Sequence, residues 1–402
     1  MIPAHDTSMR FLVRDALALN KKPKGIPMAI PTFGEEEIME AIDSLLSQEV
    51  TMGKKVAQFE HLFAEYMGVK HAVMVNSGSS ANLLMMSAAS NPMYGGRLMP
   101  GDEVIVPALT WSTTIWPVIQ TGHMPILVDC DHDTLCIDVD KIEVTERTKA
   151  ILCAHILGNG CNMDALTELA DKHNLILLED NCESLGSKYK GKQLGTFGSM
   201  GTFSFFFSHH ITTIEGGMIV TNDDTTADIL RSLRAHGWIR DMHNKPEQDP
   251  NLDPRFTFCN IGYSMKPTEI QGAFGIHQIQ KLDEINKKRE KASIKIRSNL
   301  AHLPIRFTKP EEGVEHTWFG FPIIYDGDRN GLIKYLNDRD IETRPVIAGN
   351  IARHPASKIF PHRCGVLTEA DWITDHAFYI SAHLDDDKIE YLTKVMREYF
   401  ET

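Results

Sequence analysis

Apolar positions along the chain repeat with two different periods. Between residues 35 and 47, Ile38, Met39, Ile42, Leu45 and Leu46 recur at helical spacing. Between 56 and 67, Val56, Phe59, Leu62, Phe63 and Tyr66 do the same, and Gly68 marks the stop. Short apolar runs then alternate with helical stretches, at 71–75, 103–106, 125–128, 150–154, 175–178, 201–206 and 217–220. They are rich in Val, Ile, Leu and Phe and show no polar alternation. That is the pattern of strands buried on both faces, in a mostly parallel sheet covered by helices. Residues 269–300 predict one long helix through Ile270, Phe274, Ile279, Leu282 and Ile285. It runs into Lys287, Lys288 and Arg289, read as a solvated basic face. Beyond it the pattern is α+β, with a strand at 320–324 and a closing helix at 387–400. The expected organisation is an irregular N-terminal arm (1–30), a large domain (31–285) and a small C-terminal domain (286–402), with the boundary near 285–300.

Composition narrows the function classes. The chain has 402 residues, 42% hydrophobic and 24% charged, ordinary for a globular protein with a sizeable core. A net charge of −13 excludes a general nucleic-acid binder but leaves room for a nucleotide as part of a small substrate. No run of about 18 apolar residues predicts a membrane span. The first 25 residues carry early acids and lack the continuous apolar stretch of a secretory signal. Seven scattered cysteines without a C-x-x-C pair predict reduced thiols and a cytoplasmic protein.

Four polar segments sit at the ends of the apolar runs, where catalytic groups gather in such sheets. Asn76-Ser77-Gly78-Ser79-Ser80-Ala81-Asn82 follows one run and leads into a helix expected over 83–89. Such a turn makes an anion site from backbone N–H groups and hydroxyls, or else an ordinary capped turn. Glu179, Asp180 and Glu183 end another run. A buried carboxylate there needs a partner, which a protonated ring nitrogen, a salt bridge or a helix cap supplies. Trp111 follows a third run and is able to stack on a flat ring or to join the core. The fourth segment, from Gly201 through Ser204 to His209-His210 and Glu215-Gly216-Gly217, is the most informative. Adjacent histidines in extended chain face opposite ways, so no metal site is expected from them.

Together these segments resemble the DegT and StrS sugar aminotransferase family in order and spacing. The resemblance covers most of the chain and includes Gly53…Phe59-Glu60 and Gly262-Tyr263…Thr268-Glu269-Ile270-Gln271. It implies an α/β fold, the PLP-dependent transferase type I (aspartate aminotransferase) fold, with a mostly parallel central sheet and a smaller C-terminal α+β domain. It implies a homodimer with pyridoxal 5'-phosphate or pyridoxamine 5'-phosphate as cofactor. By the same resemblance, Gly78, Ser79 and Ser204 hold the cofactor phosphate, and Trp111 stacks on the ring. Asp180 binds the ring nitrogen and keeps it protonated, so that the ring acts as an electron sink. Glu183 lies near the ring hydroxyl, where many relatives have Gln. Ser264 stands where many relatives put an Asn that reaches the partner subunit's phosphate.

His209 is the main departure, because it aligns with the lysine that relatives link to the cofactor aldehyde. Imidazole makes no stable imine, so the cofactor would be held by contacts alone, with His209 free to move protons. The exchange matches the family's dehydratase branch, which uses glutamate to remove the C3 hydroxyl of a nucleotide-linked 4-keto-6-deoxy sugar in deoxysugar and O-antigen biosynthesis. The segments Trp111-Ser112-Thr113-Thr114, His155-Ile156-Leu157-Gly158-Asn159 and Thr343-Arg344-Pro345 lean the same way. Some members of that branch hold an iron–sulfur cluster. Here Cys182 and Cys259 stand without a C-x-C, and the expectation is no cluster. Two other readings stay open: a plain nucleotide-sugar aminotransferase, and a catalytically silent sugar-nucleotide-binding relative. The sugar and diphosphate contacts are sought around Arg344, Lys266 or His316-Thr317-Trp318.

Overall fold

A computed structural model describes residues 7–19, 25–96 and 98–401. The chain opens with α1 (Thr7–Leu19), α2 (Glu35–Leu46), α3 (Lys54–Met67), β1 (His71–Val75) and α4 (Gly78–Ala89). Alternation follows: β2 (Glu103–Pro107), α5 (Ser112–Gln120), β3 (Met124–Val128), β4 (Thr148–Ala154), α6 (Met163–His173) and β5 (Ile176–Asp180). Next come β6 (Lys188–Tyr189), β7 (Lys192–Gln193), β8 (Met200–Ser204), β9 (Gly217–Thr221), α7 (Asp224–Arg234) and α8 (Glu269–Leu300). The last part holds β10 (Val314–Glu315), β11 (Gly320–Ile324), α9 (Arg329–Asn337), β12 (Arg344–Pro345), β13 (Arg363–Cys364), α10 (Thr368–His376), β14 (Ala377–Ser381) and α11 (Asp386–Glu401).

The central sheet has the order β1-β9-β8-β5-β4-β2-β3-β13. Its pairs are parallel except at β9, which runs antiparallel to both neighbours. Strands β2, β5, β8 and β9 are buried along their whole length, as their unbroken apolar runs require. A second core lies under β11 and β14, built from Ile296, Leu300, Phe321, Phe378, Leu392 and their neighbours. Helix α8 bridges the two. Ile276, Ile279, Leu282 and Ile285 pack with Phe59 and Phe63 of α3, whereas Ala292, Ile296 and Leu300 join the second core. The expected boundary at 285–300 therefore falls inside one continuous helix. The chain also crosses it twice: Ile26 is buried in the second core, and β13 pairs with β3 in the central sheet.

Three expectations need correction. Residues 7–19 form a helix, not irregular chain. Its Phe11, Leu12 and Leu19 are exposed, and Arg10 and Arg14 tie it to Glu35 at 2.9 and 2.8 Å. Met9, Val13 and Leu17 recur at helical spacing, a signal the reading of an irregular arm passed over. The helix expected over 83–89 begins at Gly78, because the Ser77 side chain caps it by accepting from Ser80 N at 3.1 Å. Arg289 is buried rather than solvated, and donates to the carbonyls of Trp318 and Phe319 at 3.1 and 2.7 Å.

The Gly53 and Glu269 motifs also find a physical reason. The buried Glu269 carboxylate accepts from Gly53 N (2.6 Å), Lys55 N (2.8 Å) and Val56 N (3.1 Å), and so caps α3. A side chain at 53 would press on it at 3.2 Å. Glu269→Ala strands three amide donors at a buried helix start. We expect it to cost about 3 kcal/mol, read as a lower urea midpoint at unchanged slope.

Candidate active site

The carboxyl ends of β4, β5 and β8, the start of α4 and the loop 205–216 surround a cavity of ≈ 690 Å³. The C-terminal part of the chain adds Phe319, Glu342, Arg344 and Tyr379 to its wall. Successive residues of β5 point to opposite faces, and this separates the two acids at its end. Glu179 faces away from the cavity and accepts from Gly195 N, Phe197 N and Gly198 N at 2.6–2.7 Å, with the His155 ring at 3.2 Å. Asp180 faces into it. Its Oδ2 accepts from Asn82 Nδ2 (2.7 Å) and Thr114 Oγ1 (2.8 Å), and its Oδ1 from Cys182 N (3.2 Å). All three donors are neutral. Asn82 is itself fixed by Thr202 Oγ1 and the Thr113 carbonyl at 2.5 and 3.1 Å.

At the start of α4, Gly78 meets the end of β8. A Cβ on Gly78 would lie 2.5 Å from Ser204 Cβ and 2.8 Å from Ser204 Oγ, so only glycine lets the two approach. The Ser204 hydroxyl thus sits beside the first N–H groups of a 12-residue helix, an arrangement suited to a phosphate. Ser79 Oγ donates to Thr113 Oγ1 at 3.2 Å. Trp111 stands at the cavity with half its surface exposed, 54%.

Beyond Ser204 the chain leaves the sheet, two residues earlier than the apolar run suggests. Phe203 and Phe205 turn into the α3–α8 core, with ring contacts to Phe63 at 5.0 and 5.4 Å. The loop is then pinned by Phe205 N to Gly216 O (2.9 Å), Thr213 N to Phe205 O (3.0 Å) and His209 N to Phe206 O (2.9 Å). It presents His209 to the cavity, with the ring edge-on to Phe319 at 4.9 Å. His210 turns away and reaches the Thr317 carbonyl at 2.5 Å. Burial, and secondarily the positive charge of Arg289, lower the His209 pKa to about 3. Its imidazole is therefore neutral at neutral pH, with Nδ1 buried and unpartnered. Burial acts in the opposite sense on Glu183 and, helped by the Asp180 charge, pushes its carboxyl up to about 8 against the pull of the Leu157 amide.

These groups fit a flat aromatic ring with an anionic tail. The helix start and Ser204 receive the tail, Trp111 offers a face, and the buried Asp180 carboxylate has neutral partners and no counter-charge. A protonated ring nitrogen would supply that charge.

A model of the DegT/DnrJ/EryC1/StrS aminotransferase family matches residues 31–397. The chain belongs to that family. Its fold is the PLP-dependent transferase type I fold, as the central sheet and the smaller C-terminal unit require. A GDP-4-keto-6-deoxy-D-mannose 3-dehydratase of Yersinia pseudotuberculosis is 40% identical over 92% of this chain and 98% of its own. A dTDP-4-dehydro-2,6-dideoxy-D-glucose 3-dehydratase of Saccharopolyspora spinosa is 35% identical over 99% and 93%. A crystal structure of GDP-4-keto-6-deoxymannose-3-dehydratase with a trapped PLP-glutamate geminal diamine superposes with a TM-score of 0.88, at 38% identity over 92% of this chain and all of that one.

Of the family-derived site residues, Gly78, Ser79, Trp111, Asp180, Glu183, Ser204 and His209 all line the one cavity. Ser264 does not. It accepts from Lys266 Nζ at 2.9 Å, away from the cavity wall. Arg344 lines the cavity, whereas Lys266 and the buried Trp318 do not. Sequence reasoning missed Asn82 and Thr114 as the donors to Asp180, although both fall within segments it quoted. It also missed Glu342, which stands directly before Thr343-Arg344-Pro345, and Tyr379 and Met28, which carry no motif and reach the cavity only through the tertiary fold.

Four histidines, buried or half-buried, give the fold an acid weakness. His209 and His383 are held down to about 3 and His316 to about 4, while His210 lies well below its usual value. The unfolded chain takes up these protons near pH 6.5 and the folded one does not. Their contribution is thus complete above about pH 6.5 and is lost as pH falls below it. Burial-raised acids such as Glu183 pull the other way, so a single substitution isolates the effect. In urea titrations, His209→Asn should lose stability less steeply between pH 6.5 and 5, by up to about 1.4 kcal/mol per pH unit. An unchanged slope would show that His209 is protonated in the fold.

Proposed function

We propose that this protein is a 3-dehydratase dependent on pyridoxal 5'-phosphate and its amine form, acting on a nucleotide-linked 4-keto-6-deoxyhexose with glutamate as amino donor, in deoxysugar and O-antigen biosynthesis. The observation that carries the reading is His209, a neutral imidazole on the cavity wall where the family keeps its lysine. The relatives named for 3-dehydration, with GDP- and dTDP-linked sugars, support it. We assign Gly78, Ser79 and Ser204 to the cofactor phosphate, Trp111 to the ring face, Asp180 to the ring nitrogen and Glu183 to the ring hydroxyl. Ser264 lies off its own cavity, which suits a role across a homodimer. We place the enzyme in the cytoplasm and assign it no iron–sulfur cluster.

When bound, the cofactor supplies an electron sink joined to the substrate's C4 through nitrogen. Asp180 keeps that sink effective by holding the ring nitrogen protonated, and Asn82 and Thr114 fix the carboxylate in place. His209, proton-free at neutral pH, takes a proton from the carbon between ring and amine nitrogen. As imidazolium it then passes a proton to the C3 oxygen, which leaves as water. Such acid–base help is worth about 10²–10⁴-fold in rate. Phe206, Phe207 and Phe319 form an apolar wall around this exchange. The balance closes: the sugar loses one oxygen, and the two electrons required come from glutamate, which ends as 2-oxoglutarate and ammonia.

His209→Lys tests the assignment. The variant should form a covalent cofactor link, seen after borohydride reduction as a protein mass increased by the cofactor. Its dehydration rate should fall by about 10²-fold or more. Undiminished dehydration would remove His209 from the reaction.

A further inference from the structure

We infer that Glu183 works as a neutral carboxylic acid, donating its O–H to the oxygen of the cofactor ring while Asp180 beside it carries the negative charge. The donor role rests on the cofactor reading of this cavity; the location of the proton does not.

Four carboxyls line the cavity, on Asp180, Glu183, Glu215 and Glu342. Asp180 and Glu183 lie three residues apart at the end of β5, and their surroundings differ. Asp180 accepts three hydrogen bonds. Glu183 accepts one, from Leu157 N to Oε2 at 3.0 Å. No cation pairs with it among the described residues. The other titratable groups of the cavity wall are Asp180 at the end of β5, Cys182 after it, His155 after β4, His209 and Glu215 on the 205–217 segment, Glu342 and Arg344 at β12, and Tyr379 on β14. The Cys182 thiol is pushed well up by burial and His209 is held down, so both are neutral. Arg344 is the one Lys or Arg of the lining. Burial and the Asp180 charge therefore leave Glu183 protonated at neutral pH.

The backbone fixes which oxygen is free. Leu157 adopts φ 52°, a left-handed conformation that is strained for a non-glycine residue. Gly158 follows at φ 96°, where a Cβ would lie 2.7 Å from Trp318 Cα. Ser184 Oγ to the His155 carbonyl (2.7 Å) and Ser187 Oγ to the Gly158 carbonyl (2.8 Å) clamp this turn. The clamped turn aims the Leu157 amide at Oε2, which accepts as a carbonyl oxygen does. Oε1 is left to carry the proton. A neutral glutamic acid then offers one acceptor and one donor, the same pair as a glutamine side chain. Once ionised it offers no donor.

Two measurements on the full-length protein test this. Infrared difference spectra of wild type against Glu183→Gln, both without cofactor, should show a protonated-carboxyl C=O band near neutral pH that vanishes above about pH 9. Affinity for pyridoxamine 5'-phosphate, titrated by fluorescence from about pH 6 to 10, should fall in wild type above pH 8, up to about tenfold per pH unit. Glu183→Gln should lack that fall and keep its neutral-pH affinity. Absence of the band, or the same fall in both proteins, overturns the proposal. A band without cofactor binding at any pH would overturn the donor role together with the cofactor reading of the cavity, while leaving the proton on Glu183.

Discussion

A carboxylate at the buried end of a central strand, held by neutral donors, governs the rest of this site. Asp180 cannot leave the cavity wall, because β5 is paired on both sides and buried throughout. Removing such a charge from water costs several kcal/mol, which Asn82, Thr114 and the Cys182 amide act to offset. A ligand bringing a positive charge to that point would complete the pairing. The helix start at Gly78 and Ser79 would receive the anionic end of the same ligand. Orientation in the cavity thus follows from two backbone features, a strand end and a helix start, before any specificity contact is considered.

The same buried field sorts the titratable groups. Burial lowers the pKa of His209 and raises that of Glu183. A base without its proton and an acid that keeps its proton therefore face one cavity at neutral pH, beside a carboxylate stabilised by three hydrogen bonds. Such divergence of neighbouring groups is what acid–base chemistry at neutral pH requires. With lysine at 209 the cavity would hold its cofactor covalently. With histidine the wall keeps a proton carrier and leaves retention of the cofactor to the phosphate and ring contacts.

Much of this was legible in the sequence, for stated reasons. The seven apolar runs became seven of the eight strands of the central sheet because strands buried on both faces need continuous apolar residues, whereas β13, two exposed residues at the sheet edge, carries no such run. The paired acids at 179 and 180 were visible as anomalies at the end of such a run, but their opposite tasks were not. Only strand geometry shows that Glu179 binds the 195–198 amides and Asp180 the cavity. Helix α1 was also legible, in the four-residue spacing of Met9, Val13 and Leu17, and was passed over. Arg289 was misread as solvated, since a basic residue that satisfies two buried carbonyls looks no different in sequence from one in water. Tyr379 and Met28 lie far from the motifs in sequence and were beyond reach, whereas Glu342 stands directly before Thr343-Arg344-Pro345 and was passed over.

The central claim is that this cavity removes an oxygen from a keto sugar instead of leaving an amine on it. The most direct test is to incubate the purified protein with pyridoxal 5'-phosphate, glutamate and a panel of GDP-, CDP-, UDP- and dTDP-linked 4-keto-6-deoxy sugars, and to follow the sugar mass, ammonia and 2-oxoglutarate together. The account predicts a product lighter by one oxygen atom, with ammonia and 2-oxoglutarate formed in equal amounts. A stable amino sugar formed with 2-oxoglutarate but without ammonia would contradict it.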